Sequence, residues 1–162
     1  CQGFHMETID KTEFTARVAE ILIAEKTEQD IETLDTYVKA SYPDLRKCIN
    51  MIQQNVRDGK LMPPASGDSG QQDYRLQMVE LFKAGKINDA RKLVCSQARP
   101  EECEEIYRWL YDNLEIISKD EDSQDKAVLI IKQGLVDHSF VADPEINLAS
   151  VMIKLARLSN GQ

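Results

Sequence analysis

The chain has 162 residues, of which 42% are hydrophobic, and a formal net charge of −8. This length is enough for one good hydrophobic core or two small ones. Nonspecific binding to duplex nucleic acid needs clustered Lys and Arg, so the acidic balance argues against that function. No apolar run approaches the ~18 residues of a membrane span, and no basic start followed by an apolar core indicates a secretory signal.

The cysteines show no Cys-x-x-Cys pair and are accompanied by only two histidines. They are Cys1, Cys48, Cys95 and Cys103. This spacing argues against a zinc site and favours reduced thiols in a cytosol-like compartment. Because the first residue is Cys1 and not Met, the chain is interpreted as a fragment or a processed product.

The first 60 residues predict a three-helix bundle that follows a short extended segment at residues 2–8. Asp10 and Glu13 have the spacing of a capping box, and the helix they begin is predicted to run to about residue 26. Thr27 is the predicted cap of the second helix. The apolar positions of that helix recur at helical spacing; they are Ile31, Leu34 and Val38.

The third helix is predicted over residues 43–57, with Pro43 in its first turn and Ser41 as its cap. Asp44 places a negative charge beside the positive end of the helix dipole. An apolar stripe at helical spacing forms the predicted buried face; it consists of Leu45, Cys48, Ile49, Ile52 and Val56.

The opposite face of this helix is polar and carries Arg46, Asn50, Gln53 and Arg57. Arg46 falls in the first turn, where the free N–H groups of the helix already favour anions. Arg46 is therefore the first candidate for binding a phosphate group, although a solvated helix arginine is the simpler alternative.

Residues 58–70 interrupt every hydrophobic period, because they contain Gly59, the pair Pro63–Pro64 and a Ser/Gly tract. We place a linker at 61–72 and a second helical domain at 73–162. Five amphipathic helices are predicted in that domain, the third of them beginning at Pro100 and the last at Pro144. The acidic segment 119–125 is predicted as a solvated turn and not as a metal-binding loop.

The last helix is apolar nearly all round, which indicates either a central position in its bundle or cover by another subunit. Its apolar residues include Ile146, Leu148, Val151, Met152 and Leu155.

Catalytic patterns are missing from this sequence. No Gly-x-x-x-x-Gly-Lys-Ser/Thr loop, no strand ending in a metal-binding Asp and no nucleophile with a matched base is found. His5 and His138 are interpreted as surface or capping residues. If Arg46 contacts a nucleotide, residues outside this chain must bind that nucleotide.

The segment Pro43-Asp-Leu-Arg-Lys-x-Ile-Asn resembles the sensor-2 helix of AAA+ ATPases, in the form found in sliding-clamp loader small subunits of the replication factor C type and their phage counterparts. The segment Pro144-Glu-Ile-Asn-Leu-Ala-x-x-Met-Ile-Lys-Leu-Ala resembles the closing helix of the collar domain, phage type in particular. Residues 1–7 and 12–25 are similar to the stretch after the family's Ser-Arg-Cys motif and to its first lid helix, whereas 71–137 matches mainly in helix count.

This resemblance implies an all-α fold, with a lid domain at 1–60 and a five-helix collar domain at 73–162. Arg46 would reach the γ-phosphate of ATP, and Pro43 and Asp44 would position it at the helix start. The subunit interface would be formed by residues of the last helix, namely Ile146, Leu148, Val151, Met152 and Leu155.

The resemblance also implies the function of the full-length subunit. That subunit would bind ATP and Mg²⁺ in a core domain that these residues do not include, join a pentameric ring with other clamp-loader subunits, and load a sliding clamp on primer–template DNA. The fragment itself would bind no cofactor, would contact no membrane, and would lie inside a bacterial or phage-infected cell.

Three alternatives come from other classes of protein. A helical scaffold that binds another protein would share the paired helices, although no repeat of about 33–45 residues is visible. The helical tail of a different AAA+ protein would usually continue into a basic DNA-binding domain. A self-contained enzyme would require a catalytic constellation.

Overall fold

A computed structural model describes residues 10–64 and 74–161. The chain forms two compact units, Cys1–Gln72 and Asp73–Gln162. The described residues contain nine α-helices and a single two-stranded sheet, which confirms the prediction of an all-α fold. The extended segment predicted at residues 2–8 and most of the predicted linker lie outside the described residues.

The first unit contains the helices α1 (Lys11–Ala24), α2 (Ile31–Ser41) and α3 (Leu45–Asn55). Their apolar faces meet in a core that includes Phe14, Val18, Leu22, Leu34, Tyr37, Val38, Cys48, Met51 and Ile52. The periodicity of the sequence therefore located all three helices, because burial of one stripe per helix decides where they form.

Two predicted helix starts in this unit are wrong. Asp30, and not Thr27, caps α2, and its carboxylate accepts a hydrogen bond of 3.3 Å from the Thr33 N–H. Ser41 is the last residue of α2, and its hydroxyl donates to the Tyr37 carbonyl at 2.6 Å. Pro43 precedes the cap of α3 and does not lie in its first turn, so α3 begins at Leu45, two residues later than the sequence predicted.

A β-hairpin follows α3, where the sequence predicted only a broken helix. Strands β1 (Val56–Arg57) and β2 (Lys60–Leu61) pair antiparallel around a turn at Asp58 and Gly59. Both turn residues have positive φ, 51° and 75°, the conformation of a two-residue type I′ hairpin. Leu61 is buried in the first unit, so the first residue of the predicted linker 61–72 belongs to the core and not to a connector.

The second unit contains α4 (Tyr74–Lys83), α5 (Ile87–Gln97), a 3₁₀ turn at Pro100–Glu102, α6 (Cys103–Asp112), α7 (Leu114–Ile117), α8 (Glu121–His138) and α9 (Pro144–Ser159). Helix α9 packs mainly against α5 and α8, and Trp109 of α6 meets Phe82 of α4 edge to face with ring centroids 5.3 Å apart.

The third predicted helix of this unit is divided at Asn113, so the described part of the unit has six α-helices where the sequence predicted five. The side-chain amide of Asn113 donates to the Trp109 carbonyl at 2.8 Å and so ends α6. The segment predicted as an acidic turn begins α8 instead. Asp120 accepts from the Ser123 N–H at 3.0 Å, and the acidic residues that follow favour the positive end of the helix.

Candidate functional site at the start of helix α3

The start of α3 is fixed by Asp44. Its carboxylate accepts a hydrogen bond of 3.0 Å from the Lys47 N–H, which satisfies one of the free donors of the first turn. Its own N–H donates to the Ser41 carbonyl at 2.8 Å. The two bonds tie the first turn of α3 to the last residue of α2, so the position of the residues that follow is set by a tight turn.

The buried side of α3 is anchored on both other helices of the unit. Cys48 is completely buried, and its thiol donates a weak hydrogen bond to the Tyr37 carbonyl of α2, with sulfur and oxygen 3.9 Å apart. Burial raises the pKa of Cys48 to about 11, so the thiol stays neutral and serves as a small apolar group. Tyr42, in the turn before Asp44, meets Phe14 of α1 edge to face at 5.3 Å.

Arg46 lies on the exposed side of this anchored turn. Within the described residues, no hydrogen bond or ion pair holds its guanidinium group. A cation at the N-terminal end of a helix is opposed by the dipole, by about 0.3–1 kcal/mol, and among the described residues no carboxylate forms an ion pair with the guanidinium that would offset this cost. The guanidinium is therefore available to bind an anionic oxygen supplied from outside the unit.

The chemistry open to this site is binding and charge stabilisation. An arginine side chain is always protonated and offers five donors, so it cannot act as a general base. Asn50 and Gln53 continue the exposed polar face that the sequence predicted. Arg57 is exposed as well, but it belongs to strand β1 at the far end of the helix.

Sequence reasoning missed an open depression beside the hairpin. It is lined by side chains of mixed charge, namely Lys26, Glu28, Arg57, Asp58 and Lys60, together with Gly59 and Met62. The Asp-Gly pair was the local signal that could have predicted it. Three cations and two carboxylates share this surface, and the mixture gives it no strong preference for an anion.

The predicted subunit interface on α9 needs a correction. Leu148, Val151, Met152 and Leu155 are buried inside the second unit, where their contacts are with the rest of this chain. Their burial fits the alternative that the sequence left open, in which an apolar last helix is central to its own bundle and is not covered by another subunit. Of the five predicted interface residues only Ile146, which is 68% exposed, lies on the surface.

Two thiols line a cavity of about 90 Å³ in the second unit, between the end of α5 and the start of α9. They belong to Cys95 and Cys103, and burial raises the pKa of both. Protonated thiols are poor nucleophiles, so this cavity has no catalytic signature.

Among the residues that the structure describes, no group of three His, Cys, Asp or Glu side chains could hold a metal ion. No helix in the same part of the chain is long and apolar enough to cross a membrane.

Comparison with known proteins finds similarity to replication factor C small subunits, at low sequence identity. No family model matches the chain. A replication factor C small subunit of Staphylothermus marinus is 28% identical over 172 aligned positions, which cover 98% of this chain and 50% of that protein. A replication factor C small subunit of Picrophilus torridus is 28% identical over 98 positions, or 58% of this chain and 30% of that protein.

The chain thus spans about half the length of one of these relatives, and the alignment covers less than a third of the other. The first alignment includes nearly all of both units. These similarities support a relationship between this chain and the small subunits of sliding-clamp loaders.

Proposed function

We propose that this chain is the C-terminal part of a clamp-loader small subunit, and that it couples ATP binding in an AAA+ core to assembly of the loader ring. On this proposal the first unit is the lid and the second is the collar. The full-length subunit would bind ATP and Mg²⁺ and, with the other subunits of a pentamer, would place a sliding clamp on primer–template DNA.

One observation carries the proposal: Arg46 is exposed and unpaired among the described residues, at a capped helix start, within a chain that aligns over 98% of its length with a replication factor C small subunit. Because no contact within the described fold holds its side chain, Arg46 can bind a ligand without breaking an existing interaction. Its planar fork of donors matches the oxygens of a phosphate group.

The proposed mechanism is electrostatic. ATP bound by the core domain brings its γ-phosphate to the start of α3, where Arg46 and the first-turn N–H groups that Asp44 leaves free provide positive charge. Asp44 keeps that turn in place by accepting from the Lys47 N–H. Because the anion is bound jointly by the core and by this unit, ATP binding changes the position of the unit and so the geometry of the ring. Water exclusion in the closed cleft strengthens the attraction.

The direct test uses the full-length subunit assembled with its partner subunits. Arg46→Ala should lower ATP-dependent clamp loading at least about tenfold, because the preorganised charge that attracts the γ-phosphate is lost. Arg46→Lys should recover only part of the activity, since a lysine keeps the charge and loses the fork. Arg57→Ala, an exposed arginine at the other end of α3, is the matched control and should leave loading unchanged.

Unchanged loading by Arg46→Ala would remove Arg46 from the site.

A second measurement uses the chain alone, without an AAA+ core. We expect negligible ATP binding by calorimetry, because a single exposed arginine does not bind a nucleotide tightly in water. Saturable micromolar binding would contradict the proposal, since it would place the nucleotide site within these residues.

A further inference from the structure

An exposed apolar surface lies where α8 turns into α9. We call it the α8–α9 corner, and it consists of Leu135, Val136, Phe140, Val141 and Ile146. Phe140 is 85% exposed, although a phenylalanine normally contributes a large buried area to a core. An apolar surface of this kind on a folded domain marks an interaction site more often than a packing defect.

The residues of the corner lie at the same end of the helix pair. Asn147, next to Ile146, donates its side-chain amide to the Gly134 carbonyl at 2.9 Å, which places the first turn of α9 beside the last turns of α8. The N–H groups of Phe140 and Val141 both donate to the Asp137 carbonyl, at 2.9 and 3.0 Å. The aromatic side chain therefore projects from a hydrogen-bonded turn, so little backbone entropy is lost when it binds.

Most of the charges that flank the corner along the chain are negative, and the exception is Lys132, one turn before Val136. Between Lys132 and Lys154 the chain has no Lys or Arg, and the carboxylates in that interval are Asp137, Asp143 and Glu145. The partners of two of these carboxylates are uncharged, so their negative charge is not neutralised. Asp137 accepts a hydrogen bond from the Gln133 side-chain amide, and Asp143 accepts from N–H groups of the first turn of α9. Glu104 of α6 adds a carboxylate to this end of the unit, 3.8 Å from Nε2 of His138.

We propose that the α8–α9 corner binds a basic amphipathic helix of another protein, with Phe140 as the central apolar anchor. Apolar residues of that helix would cover Phe140, Val136 and Ile146, and its Lys or Arg residues would face the carboxylates around them. A second copy of this chain is a poor partner, because each copy has a net charge of −8. This inference goes beyond the proposed function and stands without it, since it depends only on exposure and charge.

The test measures binding of a defined probe by fluorescence anisotropy. The probe is a labelled peptide of about 18 residues made only of Leu and Lys, with leucines at helical spacing. A shuffled peptide of the same composition, without an apolar face, is the control for nonspecific attraction to an acidic protein. We expect the amphipathic peptide to bind at least about tenfold more tightly than the shuffled one.

Phe140→Ser should weaken binding of the amphipathic peptide at least about tenfold, as expected for a central anchor. Ile31→Ser is the matched control, because Ile31 is 84% exposed but belongs to the first unit, and it should leave binding unchanged. Glu145→Lys should also weaken binding, with the largest difference at low salt, where charges are least screened. Circular dichroism of each variant checks that the fold is retained.

Equal affinity for the shuffled peptide would overturn the proposal, as would Phe140→Ser with unchanged affinity. Sedimentation that shows dimers abolished by Phe140→Ser would assign the corner to a second copy instead. Binding to anionic phospholipid vesicles that depends on Phe140 would assign it to a bilayer surface.

Discussion

The side-chain amide of Asn147 donates a hydrogen bond of 2.8 Å to the phenol oxygen of Tyr107. The same amide donates to the Gly134 carbonyl at 2.9 Å, so one buried side chain links α9, α6 and α8. Burial raises the pKa of Tyr107 to about 12, which keeps the phenol neutral. A polar group in this position fixes which faces of three otherwise apolar helices meet.

Replacement of Asn147 tests this link. Asn147→Leu preserves the volume approximately but removes the hydrogen bonds that the amide donates to the Tyr107 oxygen and to the Gly134 carbonyl. We expect a loss of about 1–3 kcal/mol in the free energy of unfolding. Urea denaturation followed by the fluorescence of Trp109, the only tryptophan of the chain, reports on the second unit. Asn88→Leu, at an exposed position of α5, is the control, and an equal effect of both variants would contradict the role of the buried amide.

Gly134 is required by close packing and not by its backbone conformation. A Cβ atom at this position would overlap the Cγ2 methyl of Val151 and stand 3.1 Å from Cε1 of Tyr107. Gly134→Ala should therefore destabilise the second unit by about 1–3 kcal/mol, although alanine is favoured in a helix by about 1 kcal/mol. In a Val151→Ala background the same change should cost less, because the overlapping methyl group is gone. Strictly additive effects in the double variant would show that the two residues do not clash.

Cys48 predicts a dependence of stability on pH. Its pKa is raised from 9.0 to about 11 in the folded chain, chiefly by burial. A raised pKa means that the folded state holds its proton more tightly, so this stabilisation is complete below pH 9 and is lost as the pH rises toward 11. The loss amounts to about 2–3 kcal/mol at most. Denaturation monitored by circular dichroism should show a steeper decline over this range for the wild type than for Cys48→Ala, and identical slopes would exclude the thiol as the cause.

The helices could be predicted from the sequence because each one buries a stripe at a fixed period. Leu34 and Val38 of α2 and Cys48 and Ile52 of α3 are buried as that spacing required. The exposure of Arg46 follows from the same period, since it lies opposite the stripe. Periodicity is decided within one element, so a single sequence contains the signal.

The helix starts and the hairpin could not be predicted from hydrophobic periodicity, because they are determined by contacts between residues distant in sequence. Thr27 and Asp30 are both acceptable caps. A β-bridge to Lys60 holds Glu28 in an extended form, so the helix cannot begin directly after Thr27 and Asp30 is the cap. Strands of two residues are too short to show alternation. Ile31 also has helical spacing but is exposed, because it occupies the first position of α2.

The candidate site was predictable only in part. An apolar helix has two explanations, and the sequence could not show that Leu148 and Met152 fill the core while Ile146 does not. The ligand proposed for Arg46 is not among the described residues, so no pattern within them can identify it. The resemblance and the alignment with a replication factor C small subunit support the proposal that this ligand is ATP.

Variants of Asp44 can distinguish the contribution of the α3 cap to stability from its contribution to the proposed function. Asp44→Ala removes the cap that accepts from the Lys47 N–H, and we expect a loss of about 1 kcal/mol in the first unit. Asp30→Ala removes the comparable cap of α2, which accepts from the Thr33 N–H, and should cost a similar amount. Hydrogen exchange of amides in α2 and α3 measures both losses, because each helix start should open more often without its cap.

In the full-length subunit the two cap variants should differ. Asp44→Ala loosens the turn that carries Arg46, so we expect a higher KM for ATP and slower clamp loading, whereas Asp30→Ala should leave both unchanged. Asp44→Asn keeps a capping oxygen and should restore the wild-type behaviour. If Asp30→Ala and Asp44→Ala impair loading equally, the effect comes from general destabilisation of the unit, and the start of α3 has no particular role in binding the nucleotide.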